Sequence, residues 1–186
     1  MKRINKQQEA GFTLMEMVVV VVIVSILATI AAPNFLGMLN RQRLSDAQAE
    51  AMSVVREAQA KARQQKRPWQ ACFRDTGTEV RWFVSPVSPV NSQADICNTP
   101  GVWNNLIGAD SKIIQIDPAS SLDNGFYRVR FEPNGWVDRS MAPADPSQDV
   151  RKVIFKIRNQ NSGSKRCVYI ATLLGAVRTA SDNDCN

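Results

Sequence analysis

An apolar run over residues 12–32 constrains this 186-residue chain more than any other feature. About 20 apolar residues suffice for a helix to cross a bilayer, so the run predicts a membrane-spanning segment. Its polar members are Thr13, Glu16, Ser25 and Thr29. Glu16 is the unfavourable one, because a carboxylate in hydrocarbon is costly unless a group of opposite charge pairs with it.

A short basic leader, residues 1–11, precedes the apolar run. It holds Lys2, Arg3 and Lys6 against a single acid, Glu9. Positively charged residues remain on the cytoplasmic side of a membrane span. The leader is therefore expected in the cytoplasm, and the chain beyond the span on the opposite side of the membrane.

The junction between Gly11 and Phe12 offers a partner for the carboxylate. Cleavage after Gly11 would create an amino terminus at Phe12, and its ammonium group would pair with Glu16. Two other interpretations are weaker. A secretory signal peptide has an apolar region of only about 7–15 residues, although residues 29–31 resemble its cleavage site. A plain single-span anchor gives no reason for Glu16.

The string GFTLMEMVVVVVIVSILATIAAPNF resembles the class III signal of type IV pilins and type II secretion pseudopilins. The resemblance implies that prepilin peptidase cuts after Gly11 and methylates the new amino terminus at Phe12. It also implies that Glu16, the fifth residue of the mature chain, acts in filament assembly. Pro33 stands where many pilins have a proline that bends the helix.

Helical periodicity continues beyond the apolar run, and we expect one long helix from residue 12 to about residue 65. Pro33 should kink it and Pro68 should end it. The apolar stripe of its second half is narrow and rich in alanine, which favours close packing on a sheet over a free coiled-coil seam. The stripe consists of Leu39, Leu44, Ala47, Ala51, Val54, Val55, Ala58 and Ala62.

After Pro68 the chain changes to short β-branched and aromatic runs between turn residues, which predicts strands. Tyr127, Val129 and Phe131 alternate with arginines, so one face should pack and the other should meet water. The fold class expected is α+β, with the long helix packed on an antiparallel sheet. Strands are predicted at residues 79–85, 112–116, 127–132, 153–158, 167–172 and 176–179.

Three segments narrow the resemblance to the GspH/FimT group of minor pilins and pseudopilins. Residues 58–63, followed by Arg67 and Pro68, are similar to that group's helix end. Residues 131–136, FEPNGW, match its F-x-P-x-G turn. Residues 169–178 resemble its final strand and glycine-arginine tail. The fold that this implies is the type IV pilin fold.

An even number of cysteines in an exported domain suggests two disulfides. Metal binding is the weaker alternative, because the chain has no CxxC spacing and no histidine. Four cysteines allow three pairings. Many pilins close a terminal disulfide loop, and this resemblance favours Cys167 with Cys185, which leaves Cys72 with Cys97.

The chain has a net charge of +6, and loss of three basic residues and one acid with the leader leaves +4. We expect the basic residues of the strands to form a solvated sheet face. DNA binding through phosphate contacts is the alternative, with Lys165, Arg166 and Arg178 as its candidate residues. FimT-type minor pilins include DNA receptors with a glycine-arginine-x-arginine tail, but here Ala176 replaces the first arginine. The basic residues are Arg128, Arg130, Lys156, Arg158, Lys165, Arg166 and Arg178.

The sequence offers no support for catalysis. It has no histidine for acid–base or triad chemistry, and no phosphate loop or dinucleotide motif. We therefore expect no enzyme activity, no cofactor and no metal site. The domains expected are a cleaved leader at 1–11, a long helix at 12–66 with its span at about 12–32, and a β-rich periplasmic or extracellular domain at 67–186.

Together these resemblances imply a minor pilin precursor that waits in the bacterial inner membrane as a single-pass protein. The partners implied are prepilin peptidase, the bilayer, the inner-membrane assembly platform, and other major and minor pilins through the N-terminal helix. The resemblance places such subunits at the pilus tip, where they prime assembly. A type II secretion pseudopilin and a FimT-like DNA receptor are the alternatives.

Overall fold

The computed structural model describes residues 12–87, 97, 102–123, 125–141, 151–160 and 163–185, apart from the side chains of residues 30–34, 109 and 123. The leader, including Gly11, lies outside the described residues. The chain divides into two compact units, Met1–Leu39 and Asn40–Asn186.

The helix α1 spans Leu14–Gln65. Helical backbone continues through Pro33, although its side chain is among those not described. The kink at Pro33 stays a prediction. After Gln65, Lys66 adopts a positive φ of 50°. Pro68 follows, and its missing N–H cannot continue the helical hydrogen bonds. The helix therefore ends where the sequence predicted.

In the first unit, the large apolar side chains between Phe12 and Leu27 are exposed all round the helix. A helix that is apolar on every side normally lies in a protein core or a membrane. Among the described residues, the structure contains no helix whose length and hydropathy suffice for a membrane span.

The second unit contains two antiparallel sheets, where the sequence predicted one. The first has the strand order β3-β2-β1-β6-β5 and the second β4-β7-β8-β9. A strand at Trp69–Asp75 that the sequence did not predict lies at the centre of the first sheet. The strands are β1 (Trp69–Asp75), β2 (Val80–Pro86), β3 (Asn104–Asn105), β4 (Ile114–Ile116), β5 (Leu122–Asp123), β6 (Phe126–Phe131), β7 (Arg151–Ile157), β8 (Lys165–Ile170) and β9 (Val177–Ser181).

The core of the second unit lies between the apolar stripe of α1 and the sheets. Tyr127, Val129 and Phe131 of β6 are buried there, as their alternation predicted. The stripe on α1 is covered by the domain itself, so it is not a free coiled-coil seam. Its small side chains allow the close approach of helix and sheet. The buried residues of the stripe are Leu44, Ala47, Ala51, Val54, Val55, Ala58 and Ala62.

Polar side chains of α1 also hold the sheets. The amide of Gln48 donates to the carbonyls of Cys167 and Ala180, at 2.8 and 2.7 Å. Those two residues are cross-strand partners of β8 and β9, so one side chain contacts both strands of the second sheet. Glu50 accepts hydrogen bonds from the indole N–H of Trp82 in the first sheet and from the backbone of Ile107.

Candidate functional site

The candidate functional site is the amino-terminal end of α1. Thr13 precedes the helix and its Oγ1 accepts a hydrogen bond from the backbone N–H of Glu16 at 3.2 Å. The Thr13 carbonyl accepts a second one from Met17 at 3.3 Å. Thr13 is therefore an N-cap, and Thr13 to Glu16 follows the T-x-x-E pattern of a capping box. The sequence contains this pattern, although no helix cap was predicted there.

The capping interaction determines where Phe12 and Glu16 lie. Phe12 is exposed and non-helical, directly after the predicted cleavage site. Glu16 lies in the first helical turn. A carboxylate is favoured at that position, because the free N–H groups and the helix dipole place partial positive charge there.

The other polar residues of the apolar run are satisfied within their own helix. Ser25 Oγ donates to the Val21 carbonyl at 2.7 Å, and Thr29 Oγ1 donates to the Ile26 carbonyl at 2.7 Å. Across the part of the chain that is described, no cation contacts the Glu16 carboxylate. Among the polar side chains of the apolar run, the Glu16 carboxylate thus needs a cationic partner from outside the described residues.

The structure has two disulfides, joining Cys72 to Cys97 and Cys167 to Cys185 as the resemblance favoured. Each lies in a small apolar cluster on the side of its sheet that faces away from α1. The second fixes the C-terminal segment to β8, and the first fixes residue 97 to β1. No cysteine of the chain is free.

The predicted basic face is divided between the two sheets, and carboxylates neutralise most of it. Arg130 contacts Asp138 at 3.1 Å, and Arg158 contacts Asp75 at 3.0 Å. Of the three residues proposed for DNA, Lys165 lies 3.5 Å from Asp117 and Arg166 lies 3.8 Å from Asp182, while Arg178 is exposed.

Asp117 is the centre of one of these charge groups. Its side chain is only 10% exposed and contacts Lys156 at 3.3 Å as well as Lys165. Burial acts to raise its pKa, but the backbone N–H of Ala119 and the two lysines outweigh burial and hold the pKa below its ordinary value. Asp138 behaves alike, since Ser140 and Arg130 lower its pKa against the effect of burial.

These carboxylates predict an acid-sensitive domain. A carboxyl whose pKa is lower in the folded state stabilises the fold above its unfolded pKa, and this stability is lost as pH falls through the folded pKa. We expect the free energy of unfolding of the full chain in detergent, measured with urea, to decline below about pH 4. Asp117→Asn should flatten this decline, and an unchanged acid profile in that variant would contradict the assignment.

The chain can now be compared with known proteins. Residues 6–32 match the family model of the prokaryotic N-terminal methylation motif. No curated protein matches the chain. Two crystal forms of the type IV minor pilin FimU of Pseudomonas aeruginosa show similarity, each with a TM-score of 0.45. One is 16% identical and covers 78% of this chain and 97% of its own, and the other is 15% identical and covers 77% and 100%.

The motif match contains Gly11, Phe12 and Glu16, the residues to which the sequence assigns cleavage, methylation and assembly, and it ends at residue 32 with the apolar run. In the described residues, the long N-terminal helix of the chain continues into a domain of antiparallel strands. The chain therefore joins a prokaryotic N-terminal methylation motif to a long helix and a domain of antiparallel strands.

Proposed function

We propose that the chain is the precursor of a minor pilin, cut by prepilin peptidase after Gly11 and methylated at Phe12. The observation that carries this proposal is the methylation motif at residues 6–32. This motif joins the end of the leader to an apolar helix that Thr13 caps. The chain acts as a structural subunit of a filament, without catalysis, cofactor or metal. Its partners are other pilins, the peptidase and the inner-membrane assembly platform.

Before assembly, the chain is a single-pass protein of the bacterial inner membrane. Residues 12–32 are apolar in sequence and long enough to cross the bilayer as a helix. The basic leader stays in the cytoplasm, and the disulfide-bonded domain lies in the oxidising periplasm. On assembly, the apolar helix leaves the lipid and packs among helices of other subunits, and the pilus tip is the position that we propose for this subunit.

Intact mass and N-terminal sequencing of the membrane-extracted protein test this function directly. A chain that begins at methylated Phe12 is the expected result. A chain that begins near residue 32 would indicate a secreted domain, and a chain that keeps Met1 in cells with active prepilin peptidase would indicate a plain anchored protein. Either of these results would contradict the proposal.

Glu16→Val should block entry into filaments and leave membrane insertion intact. In a low-dielectric filament core the carboxylate pairs with a Phe12 amine, its own or that of a neighbouring subunit, and removal of one partner leaves the other charge unpaired. The measurement is the amount of variant in sheared filaments relative to the membrane. Ser25→Val is the matched control, since Ser25 already bonds within its own helix. Normal incorporation of the Glu16 variant would refute the pairing.

A DNA receptor is the less favoured function. Its strongest support is Arg178, which is exposed, but Lys165 and Arg166 lie beside carboxylates. Phosphates would have to displace those carboxylates before the two side chains could contact DNA. A type II secretion pseudopilin shares every feature argued above and differs only in the machine that assembles it.

A further inference from the structure

Two turns of the second unit expose large apolar side chains beside one another. Trp136 is 45% exposed, Leu173 39% and Leu174 61%, and we call these three residues the two-turn surface. The two leucines occupy the centre of a turn closed by the Gly175 N–H and the Thr172 carbonyl, 2.9 Å apart. Turn centres usually hold polar residues or glycine, so folding gives no reason for leucines there.

Hydrogen bonds hold the two turns together. The N–H of Val137, next to Trp136, donates to the Leu173 carbonyl at 2.8 Å. The Gln59 amide of α1 donates to the carbonyl of Gly135 at 2.8 Å and to that of Gly175 at 3.2 Å. One helix side chain thus fixes the backbone of both turns.

The two glycines show how closely the turns fit. Both have a φ of 82°, a backbone conformation that residues with a side chain rarely adopt. A Cβ on Gly175 would lie 2.9 Å from the Gly135 carbonyl and would also meet the Gln59 amide. The surface is therefore built before any partner arrives, which lowers the ordering cost of binding.

Positive charge flanks this surface. The Arg63 side chain of α1 lies directly against Gly135, and Arg178 follows Gly175 by three residues on β9. In the described part of the protein neither arginine contacts a carboxylate. By contrast, the arginines at 130, 158 and 166 each contact a carboxylate. Arg63 and Arg178 can therefore pair with an anionic group of a partner.

We propose that the two-turn surface binds a neighbouring protein subunit whose contact face has apolar side chains and at least one carboxylate that pairs with Arg63. Contiguous exposed apolar residues with a polar border are typical of protein interfaces. The leucines favour a protein over DNA, since phosphate contacts make no use of them. Trp136 and Leu173 remain more than half covered by the domain, which suits a complementary protein face better than insertion among lipids.

This inference rests on the proposed function, because filament assembly is what brings another folded subunit against the domain. The test places a photo-cross-linking amino acid at position 174 of the full chain, in cells that assemble filaments. The control position is Val102, which is 85% exposed and lies outside the two turns. We expect a protein adduct from position 174 and none from 102, with the cross-linked peptide identified by mass spectrometry.

A charge exchange then tests the chemistry of the contact. Arg63→Glu should lower the adduct yield at least about fivefold, and replacement of a carboxylate by lysine in the cross-linked peptide of the partner should restore it. Arg56→Glu, at an exposed position two turns earlier on α1, is the matched control and should leave the yield unchanged.

Each other result has a distinct meaning. Three results with a chain that is cut and incorporated would overturn this inference alone. They are no adduct at position 174, an adduct with lipid or nucleic acid, and a protein adduct whose yield does not change with the charge exchange. An uncut chain that still gives the adduct and the charge exchange would support the surface and overturn the proposed function. An uncut chain without the adduct would overturn both.

Discussion

Gly11→Val should leave the leader attached to the chain. The resemblance to prepilins places the cut directly after this glycine, and the peptidase must bring its catalytic groups close to the Gly11 carbonyl. Glycine permits that approach because it has no Cβ. A branched side chain would clash sterically with the group that attacks the carbonyl. We expect almost complete loss of processing, the largest effect among the changes considered for this protein.

The measurement is the intact mass of the membrane-extracted variant beside that of the parent chain. The variant should keep all eleven leader residues, and the parent should begin at Phe12. Ala10→Val places the same branched side chain one residue earlier and serves as the control, which should be processed. A Gly11 variant with the mature mass of the parent would refute the cleavage assignment, because no other glycine lies in the leader.

The sequence predicted the parts of the fold whose signals are local. The long helix has a helical apolar stripe, and its end is signalled by Pro68, so the predicted end at about residue 65 agrees with Gln65. Strand β6 alternates between apolar and basic residues, and its core-facing residues are buried as predicted. The boundaries of the predicted strands differ from those observed by one or two residues, and only the end of β4 at Ile116 agrees.

The strand β1 escaped prediction because both of its faces are covered. Its first five residues, from Trp69 to Phe73, are all buried, so the sequence shows no alternation there. The outward face is covered around Cys72 by Phe83, Cys97 and partly buried aromatic residues. Those residues are distant in sequence, and only the folded chain brings them together. The division into two sheets depends likewise on the non-local pairing of β1 with β6.

The candidate site could be found from sequence because it lies within a few consecutive residues. The spacing of Gly11, Phe12 and Glu16 needs no tertiary structure to be recognised. The two-turn surface could not be found in this way. Gly135 and Gly175 lie forty residues apart in sequence and come together only in the fold, where Gln59 donates hydrogen bonds to both. The sequence therefore does not show that the exposed leucines lie beside Trp136.

The second large effect concerns Arg158, whose guanidinium joins the two sheets. It donates to Asp75 at 3.0 Å, to the Gly77 carbonyl at 2.8 Å and to the Ile114 carbonyl at 2.6 Å. A further hydrogen bond reaches the Lys112 carbonyl at 3.1 Å. Asp75 is the last residue of β1 in the first sheet and Gly77 lies in the turn that follows it, while Ile114 belongs to β4 of the second sheet. The ion pair is four-fifths buried, since its side chains are 16% and 19% exposed.

Arg158→Met should destabilise the domain by on the order of 3 kcal/mol, because it leaves the largely buried Asp75 carboxylate without its cation. The planar guanidinium also satisfies several carbonyls at once, so Arg158→Lys should restore only part of the loss. The measurement is urea unfolding of the full chain in detergent, followed by tryptophan fluorescence at neutral pH. The slope with urea should remain that of the parent if only stability changes.

Arg166→Met is the matched control, because this arginine lies on the adjacent strand and pairs with Asp182 at 3.8 Å, where the carboxylate is 53% exposed. An exposed pair of this kind contributes only about 0–1 kcal/mol. Asp75→Asn added to Arg158→Met should recover part of the lost stability, since no unpaired charge then remains between the sheets. Equal losses in the two single variants would show that burial of the Arg158 pair does not matter. A double variant no better than Arg158→Met would assign the loss to the carbonyls that the guanidinium satisfies, and not to the charge of Asp75.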